Sequence, residues 1–457
     1  MKVSDLKQVY FIGIGGIGMS ALARYLNSQG VKVSGYDLVK TSLTETLSLE
    51  GMTIHYEESI DMIPQGLDLV VYTPAIPDTH EELQWLRSQD IRIMKRAELL
   101  GLLSRDVKTV AVAGTHGKTT TSALITHVLK NSGVDVTAFL GGILSDENTN
   151  YIEGTGTLLV LEADEFDRSF LHLNPDVLAI VSMDPDHLDV YGEVDEMRAA
   201  YVQLTSQIKD GGLLILGPDV YRHISVHVEN ELRERGVRTL RMLKHFDFKN
   251  VIIQDHRYCF DYQEGDDVSG NLRSQLPGTH NLINTTLAIR ICKALGLGMA
   301  DIKKSLDSFK GVKRRFEFVY EKNGVVLIDD YAHHPEELKY TVATVRDLFF
   351  GKKILGIFQP HLYSRTLDFY KEFADVLGGL DAVLLLPIYP AREEAIEGVT
   401  SELIYNLVRS DDKFLVTEQT LIDKINALSE YSIIVTIGAS DLDKHHSKIK
   451  TVIDNRK

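Results

Sequence analysis

Two glycine-rich turns in this chain have the composition that binds phosphate. One is Gly114-Thr115-His116-Gly117-Lys118-Thr119-Thr120-Thr121, after an apolar run ending at Ala113 and before a helix-period stretch reaching about Lys130. Such a turn cradles phosphates in backbone N–H groups at a helix start. Lys118 brings a point charge to the β- and γ-phosphates, and the Thr119 hydroxyl suits Mg²⁺. The spacing is compressed, because two residues separate Gly114 from Gly117 where the common P-loop has four. The other turn is Gly13-Ile14-Gly15-Gly16-Ile17-Gly18, a G-x-G-x-x-G pattern between a strand-like run and a helix-period run that stops at Gly30. Glycines there let the backbone approach a pyrophosphate, and Asp37 ends a second strand about where a ribose-binding acid would sit. This turn alone does not choose among NAD, FAD and a nucleotide-sugar. A dehydrogenase accounts for the Gly13–Gly18 turn only, and a GTPase, kinase or nucleotide-switched binding module for the Gly114–Thr121 turn only. An enzyme that takes a nucleotide-linked substrate together with ATP accounts for both.

Carboxylates and histidines follow the same strands. Glu162-Ala163-Asp164-Glu165-Phe166-Asp167 closes one apolar run, and Asp184-Pro185-Asp186-His187-Leu188-Asp189 closes the next. Acids at the C-terminal end of a parallel strand beside a P-loop are where Mg²⁺ ligands are expected. Glu162 and His187 lie closest to their strand ends and are the favoured ligands, with Asp164, Asp167, Asp184 and Asp189 read as solvated. Gly278-Thr279-His280-Asn281-Leu282-Ile283-Asn284 opens another helix, with the two Asn on one face. They suit an adenine edge, and Asn281 equally suits an N-cap. Lys313-Arg314-Arg315 puts three cations in a row, read as an anion contact. Asp329-Asp330-Tyr331-Ala332-His333-His334-Pro335 and Pro360-His361-Leu362-Tyr363-Ser364-Arg365-Thr366 each follow a strand directly. The adjacent histidines make a weak zinc reading without Cys or further His nearby.

The elements that must hold these residues are strands alternating with helices almost throughout, the pattern of α/β layers on parallel sheets. One group of strands is read at Val9–Ile12, Lys32-Val33, Asp68–Tyr72 and Ile91–Ile93. A second is read at Val107–Ala113, Leu158–Leu161, Val177–Val181 and Leu213–Leu216, and a third at Val325–Ile328, Lys353–Ile357, Ala382–Leu386 and Ile433–Ile437. The expectation is three consecutive α/β domains, Rossmann-like, P-loop ATPase-like and Rossmann-like, over residues 1–106, 107–311 and 312–457. The 457 residues, with 44% hydrophobic and 25% charged, are ordinary for a globular chain and exclude a disordered or collagen-like one. A formal charge of −16 repels phosphate backbones, so no nucleic-acid partner is expected. Two cysteines, Cys259 and Cys292, build no disulfide framework. No signal-peptide core follows Met1, and no apolar run approaches the ~20 residues that span a bilayer, so a cytoplasmic location without membrane contact is expected.

In this order the motifs closely resemble the Mur ligase family over most of the chain. The resemblance rests on Gly13–Gly18 with Met19, Gly114–Thr121, Glu162–Glu165, Asp186–Asp189, Gly278–Asn281 with Asn284, Arg314-Arg315-Phe316, Asp329–Pro335, and Pro360-His361 with Arg365-Thr366. Within the family, the Asp-Asp-Tyr-Ala-His-His-Pro run and the N-terminal Gly-Gly turn are similar to the branch that joins L-alanine to UDP-N-acetylmuramate in peptidoglycan precursor synthesis. The resemblance implies ATP and Mg²⁺ as cofactors and an acyl-phosphate on the lactyl carboxylate, attacked by the alanine amine. A sister activity would add a preformed tripeptide to the same sugar. Carried over, Gly13, Gly15, Gly16, Ile17, Gly18 and Asp37 bind the UDP-sugar. Gly114, Thr115, His116, Gly117, Lys118, Thr119 and Thr120 hold the ATP phosphates. Thr119, Glu162 and His187 hold magnesium, and His280, Asn281, Asn284, Arg315 and Asp330 serve the rest of the nucleotide. Lys118, His187, His361 and Arg365 are the catalytic set. Two positions depart from the family pattern. Leu362 stands where an Arg commonly follows Pro-His, and no lysine occurs from Leu188 to Ile208 to bridge magnesium as in several sister ligases.

Overall fold

Runs such as Val9–Ile12 and Leu213–Leu216 are apolar at every position because helices cover both faces of their sheets. In β1 (Gln8–Ile12), Phe11 and Val9 join one core cluster while Tyr10 and Ile12 join another, as the two-residue period of a strand requires. The computed structural model describes residues 3–73, 75–185, 188–243, 247–391 and 393–456. Two compact units are present. One comprises Met1–Lys249, Asp261–Leu272 and Ile283–Lys310, and the other Asn250–Phe260, Arg273–Leu282 and Gly311–Lys457.

The first unit carries two sheets. β1, β2 (Lys32–Tyr36), β3 (Thr53–His55), β4 (Leu69–Tyr72) and β5 (Ile93–Lys95) form an all-parallel sheet in the order β3-β2-β1-β4-β5. Strand order reverses between β1 and β4, so the crevice beyond the end of β1 receives the Gly13–Gly18 turn. The second sheet has β6 (Lys108–Ala113), β7 (Thr137–Leu144), β8 (Thr149–Ile152), β9 (Leu158–Glu162), β10 (Val177–Ile180), β11 (Leu213–Leu216) and β12 (Arg238–Arg241). Its order is β12-β11-β10-β6-β9-β7-β8, parallel except for the β7–β8 pair. This order matters for chemistry. It sets β9 and β10 on either side of β6, so the segments after both strands flank the Gly114–Gly117 turn.

A three-stranded sheet follows, of β13 (Phe248–Gln254), β14 (Arg257–Glu264) and β15 (Asp267–Ser274). The last sheet has β16 (Glu317–Lys322), β17 (Val325–Asp330), β18 (Ile354–Phe358), β19 (Ala382–Leu385), β20 (Asp412–Leu415) and β21 (Ile433–Ile437), in the order β16-β17-β21-β18-β19-β20. Only the edge strand β16 runs antiparallel in it. The fold is three consecutive α/β domains.

The central strands stand within a residue or two of the positions read from the sequence. The strands not read there are β3, β7, β8, β12 to β16 and β20. β3 has three residues, β13 exposes nearly its whole length, and β15 is largely polar, so none carries the apolar run that marks a doubly covered strand. Among the described residues no helix is long and apolar enough to cross a membrane.

Gly217, just past β11, donates its N–H to the Ile180 carbonyl at 2.8 Å, and a methyl group there would overlap the Val181 backbone carbonyl. Gly217→Ala is therefore expected to lower stability by about 1–3 kcal/mol, the scale for overpacking a closed core. A urea midpoint equal to the wild-type value would contradict this.

Candidate functional site

Glycine is required at two points of the central turn. Gly114 has φ +136°, and a Cβ on it would lie 2.8 Å from the Ser182 nitrogen. Gly117 has φ +82° and caps the helix Lys118–Asn131, and a Cβ there would lie 2.5 Å from the Asn284 side-chain oxygen. The turn is stitched to the segment after β10. The Ser182 hydroxyl accepts the His116 N–H at 2.9 Å and bonds the Thr115 hydroxyl at 2.9 Å, and the Thr115 Oγ1 also accepts the Asp184 N–H at 3.0 Å. These bonds hold the shortened loop in a fixed shape. The helix behind it has no side-chain cap and no acid in its first turn, which leaves its N-terminal dipole available to an anion.

On the other side of β6, the end of β9 presents Glu162. Its Oε1 accepts the Thr119 hydroxyl at 3.0 Å, and its Oε2 accepts the Gly141 N–H at 2.9 Å. Thr119 and Glu162 are thus brought together as expected. His187 and Asp186 lie outside the described residues, and among the described residues no group of three His, Cys, Asp or Glu side chains could hold a metal.

Lys118 turns inward. Its Nζ donates to the Gly114 carbonyl at 2.6 Å, the Thr115 carbonyl at 3.3 Å and Glu165 at 2.8 Å. The side chains are 13% and 1% exposed, so this is a buried ion pair. Burial alone would pull the lysine down, but the carboxylates of Glu165, Glu162 and Asp164 outweigh it and raise the ammonium above its ordinary value. Burial likewise pushes the Glu165 carboxyl up, against the pull of Lys118. The two remaining acids face the N-terminal sheet. Asp167 pairs with Lys95 at 2.9 Å, and Asp164 lies 3.7 Å from Arg96. Both carboxylates keep about two-fifths of their surface exposed, so they are solvated acids that also have a cation at the end of β5 beside them.

In the N-terminal turn, Gly13 and Ile14 donate their N–H groups to the Tyr36 carbonyl at 2.8 and 3.0 Å, tying the turn to β2. Asp37 Oδ2 accepts the Gly15 N–H at 2.7 Å and braces the turn, while its Oδ1 accepts the Val39 N–H at 3.2 Å in its own loop. Gly16 caps the helix Ile17–Ser28, whose first turn also lacks acids. A Cβ on Gly18 would lie 2.6 Å from the Arg96 guanidinium, so a cation overhangs this turn. Nothing in the sequence pairs Arg96 with Gly18.

In the second unit, Arg314 departs from its expected role as an anion contact. It donates to Asp329 at 2.9 Å and to the Ser440 and Gly438 carbonyls at 2.5 and 2.8 Å, clamping β17 to the segment after β21. Arg314 and Arg315 both lie over the Tyr331 ring, 5.0 and 5.2 Å from its centroid. Asp330 accepts the Thr341 hydroxyl at 2.6 Å, and burial pushes its carboxyl up to about 6, against that bond and Arg315. His361 stacks on Tyr389 with ring centroids 5.8 Å apart and lies 5.9 Å from His333. Leu362 holds φ +69°, strained for a branched residue, and starts the helix Tyr363–Leu377 that carries Arg365. Glu393 accepts the Ser364 N–H at 3.0 Å at this helix start. His280 sits 5.0 Å from Tyr340 by ring centroids, while Asn281 donates to the Pro277 carbonyl at 2.7 Å. Both Asn281 and Asn284 are buried on the helix Thr279–Ala294. Ser182, Glu165, Arg96 and Glu393 were not singled out from the sequence. Only the Glu162–Asp167 run hinted at one of them.

Against known proteins, residues 8–108 match the sequence model described as Mur ligase family, catalytic domain, residues 112–292 that of the Mur ligase middle domain, and residues 314–440 that of the Mur ligase, glutamate ligase domain. The chain is similar to the UDP-N-acetylmuramate–L-alanine ligase of Flavobacterium johnsoniae, with 44% identity over 459 residues and 99% of each chain covered. It is 41% identical to the ligase of the same name from Cytophaga hutchinsonii, over 100% of this chain and 99% of that one. The crystal structure of UDP-N-acetylmuramate-alanine ligase from Thermotoga maritima superposes with a TM-score of 0.80 at 28% identity, over 98% of this chain and 100% of that one.

Replacing Gly117 by Ala forces a left-handed φ on an L-residue, at roughly 1–2 kcal/mol, and drives a methyl into Asn284. Gly117→Ala is expected to lower the melting temperature by a few degrees and to weaken ADP binding by about 10- to 100-fold in calorimetry at a temperature where the variant is folded. Undiminished affinity would show that the turn does not carry the phosphates.

Proposed function

This chain belongs to the Mur ligase family, and we propose that it performs the reaction named for its full-length relatives. It is an ATP-dependent ligase that joins L-alanine to the lactyl carboxylate of UDP-N-acetylmuramate in peptidoglycan synthesis. The observation that supports this reading is the presence of two glycine-rich strand-to-helix turns in one compact unit, each at the C-terminal end of parallel strands in its own sheet. Domain limits at residues 106/107 and 311/312 are proposed with it, as is a cytoplasmic location, where the nucleotide substrates are made.

In the mechanism, the pyrophosphate of the UDP-sugar rests on the N-terminal turn, with the helix Ile17–Ser28 behind it and Arg96 above Gly18. Asp37 acts there by bracing Gly15. The triphosphate rests on Gly114–Thr120, with the backbone amides and Lys118 taking up its charge. The Thr119 hydroxyl and Glu162 carboxylate offer two hard oxygen donors 3.0 Å apart, a set that fits Mg²⁺, with His187 as a further proposed ligand. Bound there, the metal would neutralise phosphate charge. A lactyl carboxylate oxygen attacks the γ-phosphorus, and the bond to the ADP oxygen breaks. The alanine nitrogen then attacks the acyl carbon, and the carbon–oxygen bond to phosphate breaks, giving the amide, ADP and phosphate. Lys118 follows charge as it moves from the γ-phosphate to the leaving ADP. His280, Asn281, Asn284, Arg315 and Asp330 are proposed for the nucleoside and phosphates, and His361 and Arg365 for the acyl-phosphate and the amino-acid carboxylate.

Phosphate release should require ATP, UDP-N-acetylmuramate and L-alanine together. Release that is indifferent to L-alanine would overturn the reading, and faster turnover with a preformed tripeptide would assign the sister activity. Lys118→Ala should lose roughly 10²–10³ in turnover, the scale of one transition-state charge contact. UDP-N-acetylmuramate binding by calorimetry should survive that change, and an equal loss there would refute the division of labour between the turns.

A further inference from the structure

Lys118 has three N–H donors, and every one is used within the protein. They go to the Gly114 carbonyl, the Thr115 carbonyl and the Glu165 carboxylate. The two carbonyls belong to the loop and travel with it. Glu165 does not. It stands on the segment after β9, both its oxygens lie 2.8 Å from the ammonium, and its side chain is 1% exposed. The Tyr191 hydroxyl donates to the Glu165 backbone carbonyl at 2.6 Å and fixes the residue from behind.

Resting on the ATP-ligase reading, we propose that Glu165 is a positioning residue that competes with the nucleotide phosphates for the Lys118 ammonium. A phosphate oxygen and the Glu165 carboxylate offer the same lysine the same kind of partner. To reach a β- or γ-phosphate, Lys118 gives up at least one of its present bonds, and Glu165 is the one partner that is both anionic and independent of the loop. Once deserted, the buried carboxyl must either stay charged beside phosphates of the same sign or take up a proton, and each costs free energy. Both effects oppose nucleotide binding. In the empty site Glu165 keeps the lysine aimed into the turn, and after reaction it draws the lysine back from ADP. It therefore sets how readily product leaves, a role distinct from that of Glu162, which faces Thr119.

The test is ADP binding with Mg²⁺ by calorimetry to the full chain and to Glu165→Gln, which keeps the shape and removes the charge. The variant is expected to bind ADP about tenfold tighter, as expected when an incoming ligand no longer has to break a buried ion pair. The product-inhibition constant of ADP should fall by the same factor, with kcat reduced and UDP-N-acetylmuramate affinity unchanged. Glu165→Asp, whose carboxylate is withdrawn by one methylene, should fall between the two and serves where the Gln variant folds poorly. Equal or weaker ADP binding by a variant that still binds the UDP-sugar overturns the inference. So does a crystal of the ADP complex in which Lys118 remains 2.8 Å from Glu165. A wild-type chain that takes up no ADP overturns the ligase reading as well, so the two failures are told apart.

Discussion

An ammonium group shut inside a protein must be matched by negative charge, and the matching anion of Lys118 changes with the state of the site. In the empty turn it is Glu165. In the reaction proposed above it is a phosphate. The features around the central turn serve that exchange. Ser182 fixes the loop so that the lysine stem leaves the helix in one direction, Gly117 permits the turn, and the helix Lys118–Asn131 adds its dipole. Beside Glu165, Glu162 and Asp164, whose charges outweigh burial, the ammonium is held above its ordinary value.

The molecule as a whole is acidic, with 65 Asp and Glu against 49 Lys and Arg, yet its task is to gather polyanions. It does so by making local positive potential from backbone N–H groups at helix starts, which adds nothing to net charge. Five acids around the two turns are tied down. Glu162 faces Thr119 and Gly141, Glu165 faces Lys118, Asp37 faces two backbone amides, and Asp164 and Asp167 turn to Arg96 and Lys95. The last two pairs also join the first two sheets within one compact unit, so a single six-residue acidic run serves the central turn and the N-terminal cations together.

Much of the fold was legible because its strands are buried on both faces and therefore read as unbroken apolar runs. Short edge strands and the polar hairpin strands β13 to β15 escaped, since a strand exposed on one or both faces has no such run. The candidate site was legible where a motif is local. Gly114–Thr121 and Gly13–Gly18 announce themselves by glycine spacing alone, and Glu162 by its place at a strand end. Arg314 and Asp37 show the opposite case. Their types suggested an anion contact and a ribose acid, and the bonds that Arg314 makes to Asp329 and two carbonyls, and Asp37 to the Gly15 N–H, were not legible from those types.

By itself the sequence determined the alternation of strand and helix, the two glycine turns and the residue types that follow each strand, because these depend on neighbours within a few positions. Tertiary structure alone decided which acid meets which cation. Lys118 and Glu165 are 47 positions apart, Lys95 and Asp167 are 72, and Thr115 and Ser182 are 67. The first and last pairs are set by strand order in the central sheet, where β9 and β10 come to lie beside β6, and the middle one by the packing of two sheets in one unit; no local spacing encodes either.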